Sequence, residues 1–160
     1  MAVHTLHVTV PDEQWVERLA DVDGVELSVW DFSTPQPDRH VDLAVRPYTV
    51  AASGLEQLDP SQLSVIQSQA LGYDGVAESL PDGITYCNAV GVHEESTAEL
   101  AVALLLASQR EIDRYARERG EWNRRFTASL IDRRVMIVGH GGIGVEIGRA
   151  SCRERVSRYV

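Results

Sequence analysis

From Val3 to Val10 the chain reads V-H-T-L-H-V-T-V, and its apolar and polar positions recur with the period of two that marks a β-strand. Pro11-Asp12-Glu13 follows as a helix start, with Trp15, Val16 and Leu19 falling on one helical face. Further short apolar runs predict strands at Val25 to Trp30, Val41 to Val45, Leu63 to Gln67 and Ile84 to Cys87. Pro35, Pro37, Pro47, Gly54, Pro60, Gly72, Pro81 and Gly83 punctuate them. Strands alternating with helical or turn segments predict a parallel sheet covered on both faces.

The pattern changes at Ser96. Ser96-Thr97-Ala98-Glu99 has the spacing of a capping box and predicts a helix running towards Trp122. Leu100 to Ala107 is apolar all round, which a helix tolerates when it is buried on several sides, between two domains or between two subunits. From Arg110 to Arg125 the helix turns charged and is expected to emerge into solvent. A domain change is expected between Asn88 and Ser96.

Composition narrows the class. The 160 residues are 44% hydrophobic and 24% charged, as in an ordinary globular protein with one domain or part of a second. No apolar run approaches the ~20 residues of a membrane helix, and the N-terminus lacks the signature of a secretory signal. Cys87 and Cys152 make neither a disulfide framework nor a metal spacing, so a cytoplasmic setting is the expectation. Of the net charge of −9, residues 1–109 carry three Arg against seventeen acids, and residues 110–160 twelve Arg against seven acids. Phosphates would be repelled by the first half, which argues against nucleic-acid binding there, and the mixed charges of the second half read as a solvated helix face. All fifteen cations are Arg, a sign of GC-rich coding rather than of chemistry.

The densest chemical signal is V-M-I-V-G-H-G-G-I-G-V-E-I-G-R, Val135 to Arg149. An apolar strand enters Gly139, Gly141 and Gly144, spaced G-x-G-x-x-G and followed by helical residues, the opening of a dinucleotide-binding βαβ unit. Gly139 allows the tight turn, Gly141 lets backbone approach a pyrophosphate, and Gly144 lets the helix pack close to the sheet.

With these motifs in place, the chain resembles the D-isomer-specific 2-hydroxyacid dehydrogenases. The resemblance runs in family order from Val65 to Gly144. V-I-Q-S-Q-A-L-G-Y-D-G-V (Val65 to Val76) is similar to the family's substrate-domain strand and turn, and L-P-D-G-I-T-Y-C-N-A-V-G-V-H (Leu80 to His93) to its last substrate-domain strand and first crossover. E-E-S-T-A-E-L-A-V-A-L-L-L-A-S (Glu94 to Ser108) is similar to the long interdomain helix, and Ser129 to Gly144 to the first strand and loop of the cofactor domain.

The resemblance implies an α/β protein. Residues 1–92 would form a flavodoxin-like substrate domain, a parallel sheet with helices on both faces. Residues 93–146 would form the interdomain helix with the first strand and Gly loop of an incomplete Rossmann domain. It implies hydride transfer between NAD or NADP and a small 2-hydroxy or 2-keto acid, and a homodimer in the complete protein. Leu71, Gly72 and Tyr73 stand where family amides receive the substrate carboxylate, and an ordinary β-to-loop turn explains them equally well. Tyr48, after the strand that ends near Arg46, is a candidate wall of the substrate cleft. Thr97 stands near the nicotinamide in relatives and also fits a helix cap. With Gly139 and Gly144, the residues His140, Gly141, Gly142 and Ile143 match the pyrophosphate loop. Cys87 reads as an inert buried thiol, His93 as a turn residue, and His4 and His7 as poor metal partners on opposite strand faces.

The Arg, the Glu or Asp, and the His that perform the family's proton chemistry lie beyond the Gly loop and have no counterpart in this sequence, so the 160-residue chain is expected to be inactive alone. Ile147 to Val156, I-G-R-A-S-C-R-E-R-V, is similar to one frame of a short-read sequencing adapter, which makes 147–160 an expected non-native tail. Two other readings compete: an NAD(H)-sensing binding protein of the C-terminal-binding-protein corepressor type, and another Rossmann enzyme resembling alanine dehydrogenase or adenosylhomocysteinase.

Overall fold

The computed structural model describes residues 5–118, 120, 124–151 and 158–159. Two compact units divide the chain, Met1–Ala89 and Val90–Val160.

In the first unit the chain runs β1 (Leu6–Val10), α1 (Glu13–Arg18), β2 (Val25–Val29), β3 (Val41–Arg46), a 3-10 turn (Ala52–Leu55), β4 (Leu63–Ser68), α2 (Val76–Ser79) and β5 (Thr85–Cys87). The five strands form one sheet in the order β2-β1-β3-β4-β5. Every pair is parallel, with Val8 opposite Leu43, Ala44 opposite Ile66 and Ile66 opposite Tyr86. This is the flavodoxin-like order.

A parallel sheet is covered on both faces, and two apolar clusters do the covering. One joins Trp30, Val41, Ala44, Leu55, Leu63, Ile66 and Val76. The other sets Val8, Val10 and Val45 against Trp15, Val16 and Leu19 of α1 and the residue after it. Val10, Val41, Leu55, Leu63 and Ile66 are fully buried, each contributing about 1.5–3 kcal/mol by leaving water. Double coverage also explains why the alternation in β1 does not mean a wet face. His7 and Thr9 are as buried as Val8 and Val10. The His7 ring pairs Nδ1 with the His40 carbonyl at 2.9 Å and Nε2 with Ser28 Oγ at 2.8 Å. His4 lies outside the described residues.

Helix α1 begins where Pro11-Asp12-Glu13 predicts. Asp12 is its N-cap and accepts from the amides of Gln14 at 2.9 Å and Trp15 at 3.2 Å.

The second unit holds α3 (Glu94–Gln109), α4 (Ile112–Arg117), β6 (Met136–Ile137), α5 (Gly142–Ser151) and β7 (Arg158–Tyr159), with β6 and β7 parallel. Two expectations are corrected by the structure. First, α3 starts at Glu94, two residues before the predicted cap, and Ser96 Oγ donates to the His93 carbonyl at 3.1 Å. Second, the helix does not continue unbroken towards Trp122. Glu111 adopts φ 52°, which ends α3 and starts α4; 121–123 lie outside the described residues. Within the single chain, α3 is covered in part. It packs on α5, while Leu100 and Leu104 remain 59% and 60% exposed. No helix among the described residues is long and apolar enough to cross a membrane.

Candidate active site

In an open parallel sheet the strands' carboxyl ends deliver loops to a common edge, where ligands bind. β3, β4 and β5 end there at Arg46, Ser68 and Cys87. The loop after β4 contains Leu71, Gly72 and Tyr73, and side chains from both neighbouring strand ends hold it. Ser68 Oγ accepts from the Ala70 amide at 3.0 Å. Asn88 Nδ2 donates to the Leu71 carbonyl at 2.9 Å, and the Ala89 amide to the Ala70 carbonyl at 3.0 Å. The Tyr73 carbonyl accepts from Val76 at the start of α2. Carbonyls are thus engaged along this loop, whereas among the described residues the amides of Leu71, Gly72 and Tyr73 have no acceptor within the chain. A run of uncommitted amides in a pinned loop suits a carboxylate.

Tyr48 stands on the loop after β3 and is 64% exposed. Arg46 braces that loop: its Nε donates to the Val50 carbonyl at 3.1 Å, Nη2 donates to the same oxygen, and Nη1 donates to Tyr86 Oη at 2.7 Å. The guanidinium also lies 5.9 Å from the centre of the Tyr86 ring. The sequence marks Arg46 only as the strand end before Tyr48 and gives no sign of this clamp, nor of the roles of Ser68 and Asn88. Their only trace in it is a polar residue at or just after each strand end.

In the second unit the Gly loop joins β6 to α5. Gly139 has φ 104°, a conformation that favours glycine. At Gly144 a Cβ would lie 2.4 Å from the Gly139 carbonyl oxygen, so a side chain there would break the turn. At Gly141 a Cβ would meet nothing within 4 Å, leaving open space beside the backbone. Gly142 opens α5, Ile143 follows in its first turn, and His140 is exposed. A strand, a turn closed to side chains and a helix N-terminus are what a pyrophosphate cradle requires. The Gly loop therefore has the form that the pyrophosphate of a dinucleotide requires.

Thr97 lies in the first turn of α3, its amide donating to the His93 carbonyl at 3.0 Å. Sequence reasoning missed Glu94. Its carboxylate accepts from the Gly91 amide at 2.7 Å and the His93 amide at 3.1 Å. Its side chain also fills the space at Gly142, where a Cβ would stand 2.9 Å away. The Gly91 hydrogen bond, more than any other contact, holds the Glu94 carboxyl below the usual range. No group of three or more metal-ligating side chains occurs among the described residues.

No protein-family model matches the chain. Individual proteins do. A glyoxylate reductase of Korarchaeum cryptofilum is 37% identical, covering 78% of this chain and 42% of that protein. A solved NADPH-dependent glyoxylate/hydroxypyruvate reductase of Sinorhizobium meliloti, in complex with NADP and malonate, superposes with a TM-score of 0.64. It is 26% identical and covers 91% of this chain and 50% of that one. A D-isomer specific 2-hydroxyacid dehydrogenase family protein of Aeromonas salmonicida shares the fold with a TM-score of 0.71 at 18% identity. The chain spans about half the length of these relatives. The parallel sheet agrees with that likeness, and these relatives support the resemblance to the D-isomer-specific 2-hydroxyacid dehydrogenases.

Proposed function

We propose that the chain contributes the substrate domain and the opening of the cofactor domain to an NAD(P)-dependent oxidoreductase that interconverts a D-2-hydroxy acid and a 2-keto acid. The observation that carries this reading is the amide run Leu71 to Tyr73, pinned at the carboxyl edge of the sheet. These amides would hold the substrate carboxylate, and Tyr48 would wall the cleft. Gly139, His140, Gly141, Gly142, Ile143 and Gly144 would hold the pyrophosphate, with Thr97 near the nicotinamide. A bound dinucleotide supplies hydride to the α-carbon of the keto acid or takes it back. The chain's own residues bind and orient. The proton and the carbonyl polarisation are assigned to an Arg, a carboxylate and a His of the complete protein.

The proposed domains are 1–92 and 93–146, with 147–160 a non-native tail of which 152–157 and 160 lie outside the described residues. The exposed leucines of α3 support a homodimer of the complete protein, and the family supports a cytoplasmic setting without nucleic-acid partners. The named relatives are reductases, which disfavours both the corepressor reading and the alanine dehydrogenase reading.

The test is to express the gene recovered from intact DNA and follow nicotinamide absorbance with a panel of 2-keto acids beside the 160-residue chain. Turnover by the long product and none by the short one is expected. Tight NAD(H) binding by the long product without turnover of any keto acid would favour the sensing protein instead. An uninterrupted reading frame that ends at Val160 in intact DNA would remove the case for a foreign tail.

A further inference from the structure

A groove of about 550 Å³ lies beside β5 in the first unit, lined by Tyr73, Val76, Ala77, Leu80, Tyr86, Asn88 and the partly exposed thiol of Cys87. That volume lies within the range of about 300–1,000 Å³ typical of small-molecule sites. The groove is continuous with the amide loop. Tyr73 belongs to both, and Asn88, which lines the groove, is the residue that pins the Leu71 carbonyl.

Its lining holds no carboxylate and no cation. Two of its polar groups are already engaged: Tyr86 Oη accepts from Arg46 at 2.7 Å, and Asn88 Nδ2 donates to Leu71 at 2.9 Å. A charged or strongly polar substituent would lose water there without recovering its hydrogen bonds. A hydrocarbon substituent would gain. Glyoxylate, whose α-carbon bears a hydrogen, would leave the groove empty.

We propose that this groove receives the apolar substituent of the substrate, so that the site selects 2-keto acids with a bulky hydrocarbon side chain over glyoxylate. The proposal rests on the reading of Leu71 to Tyr73 as the carboxylate site. The carboxylate stays on those amides while the side chain passes Tyr73 and lies against Val76, Ala77 and Leu80.

Amide NMR titration of the full 160-residue chain with glyoxylate, pyruvate, 4-methyl-2-oxopentanoate and phenylpyruvate tests it. All four should shift Leu71, Gly72 and Tyr73. The two bulky acids should also shift Ala77 and Tyr86 and bind at least about 10-fold tighter than glyoxylate, the discrimination expected of a filled apolar pocket. Ala77→Phe, at an exposed position on α2, fills the groove and should abolish that difference; the spectrum itself reports whether the variant folds. Equal affinity for all four acids, or an undiminished preference in Ala77→Phe, would overturn the groove assignment and leave the carboxylate site standing. Absence of shifts at Leu71 to Tyr73 with every acid would overturn both.

Discussion

Gly144 and Gly141 share a motif but face opposite constraints. Alanine in a helix normally gains about 0.5–1 kcal/mol over glycine. At Gly144 the new methyl would press on the Gly139 carbonyl at 2.4 Å, a backbone atom that cannot yield cheaply. Overpacking of about 1–3 kcal/mol outweighs the helical gain, so Gly144→Ala should lower stability in thermal unfolding. Gly141→Ala meets open space and should stay within about 0.5 kcal/mol of the parent, its effect confined to dinucleotide affinity. Equal losses in both would contradict this difference. Glu94 carries a second consequence. Its carboxyl is held below its ordinary value of 4.5, first by the Gly91 amide. The stability it contributes is therefore present above that value and is lost as pH falls through the lowered one. Glu94→Gln should flatten the acid limb of Tm against pH, and an unchanged acid limb would show that the contact contributes nothing. The glycines were legible because their need is local, a turn within six residues. Glu94 was hidden because its importance depends on Gly142, which lies far along the chain, just as Arg46 depends on Tyr86, 40 residues away.

Elements were more legible than their ends. β1 to β5 fall where short apolar runs meet Pro and Gly, and α1 starts at the Asp that caps it. The start of α3 was not readable from Ser96-x-x-Glu99, because Glu94 caps the preceding turn with its own side chain and the helix begins earlier. The break at Glu111 was equally hidden, since a left-handed residue other than Gly or Asn leaves no mark in composition. Along α3, Leu100 and Leu104 occupy adjacent turns and stay exposed. Two large apolar side chains at i and i+4 form one stripe, and a second copy of the helix is the proposed cover. Leu104→Arg should shift the complete protein from dimer to monomer in sedimentation velocity, with the far-ultraviolet spectrum unchanged. A monomeric parent protein would remove the proposal.

At the scale of the whole molecule, the two units have unequal means of supporting themselves. The first closes a five-stranded sheet between two apolar clusters, and its central strands are buried on both sides. The second sets β6 against only two residues of β7 among those described, and its neighbouring apolar residues lie open. Phe126 is 92% exposed, Ile131 80%, Met136 73% and Val138 82%. Parallel strands are stable when both faces are covered, and so short a pair has little apolar burial to offset its ordering entropy. Local opening should therefore cost far less in the second unit than in the first. Native-state hydrogen exchange on the 160-residue chain should show strong protection at Val8, Val10, Ala44 and Ile66. Amides at Met136 and Ile137 should exchange at least about 100-fold faster, a gap of roughly 3 kcal/mol in opening free energy. In the longer protein, where further strands would cover β6, the same amides should become slow. Matching protection of the two units in the short chain would mean that the Gly loop and α5 hold β6 in place without further strands, and the proposal that this domain is incomplete would then fail.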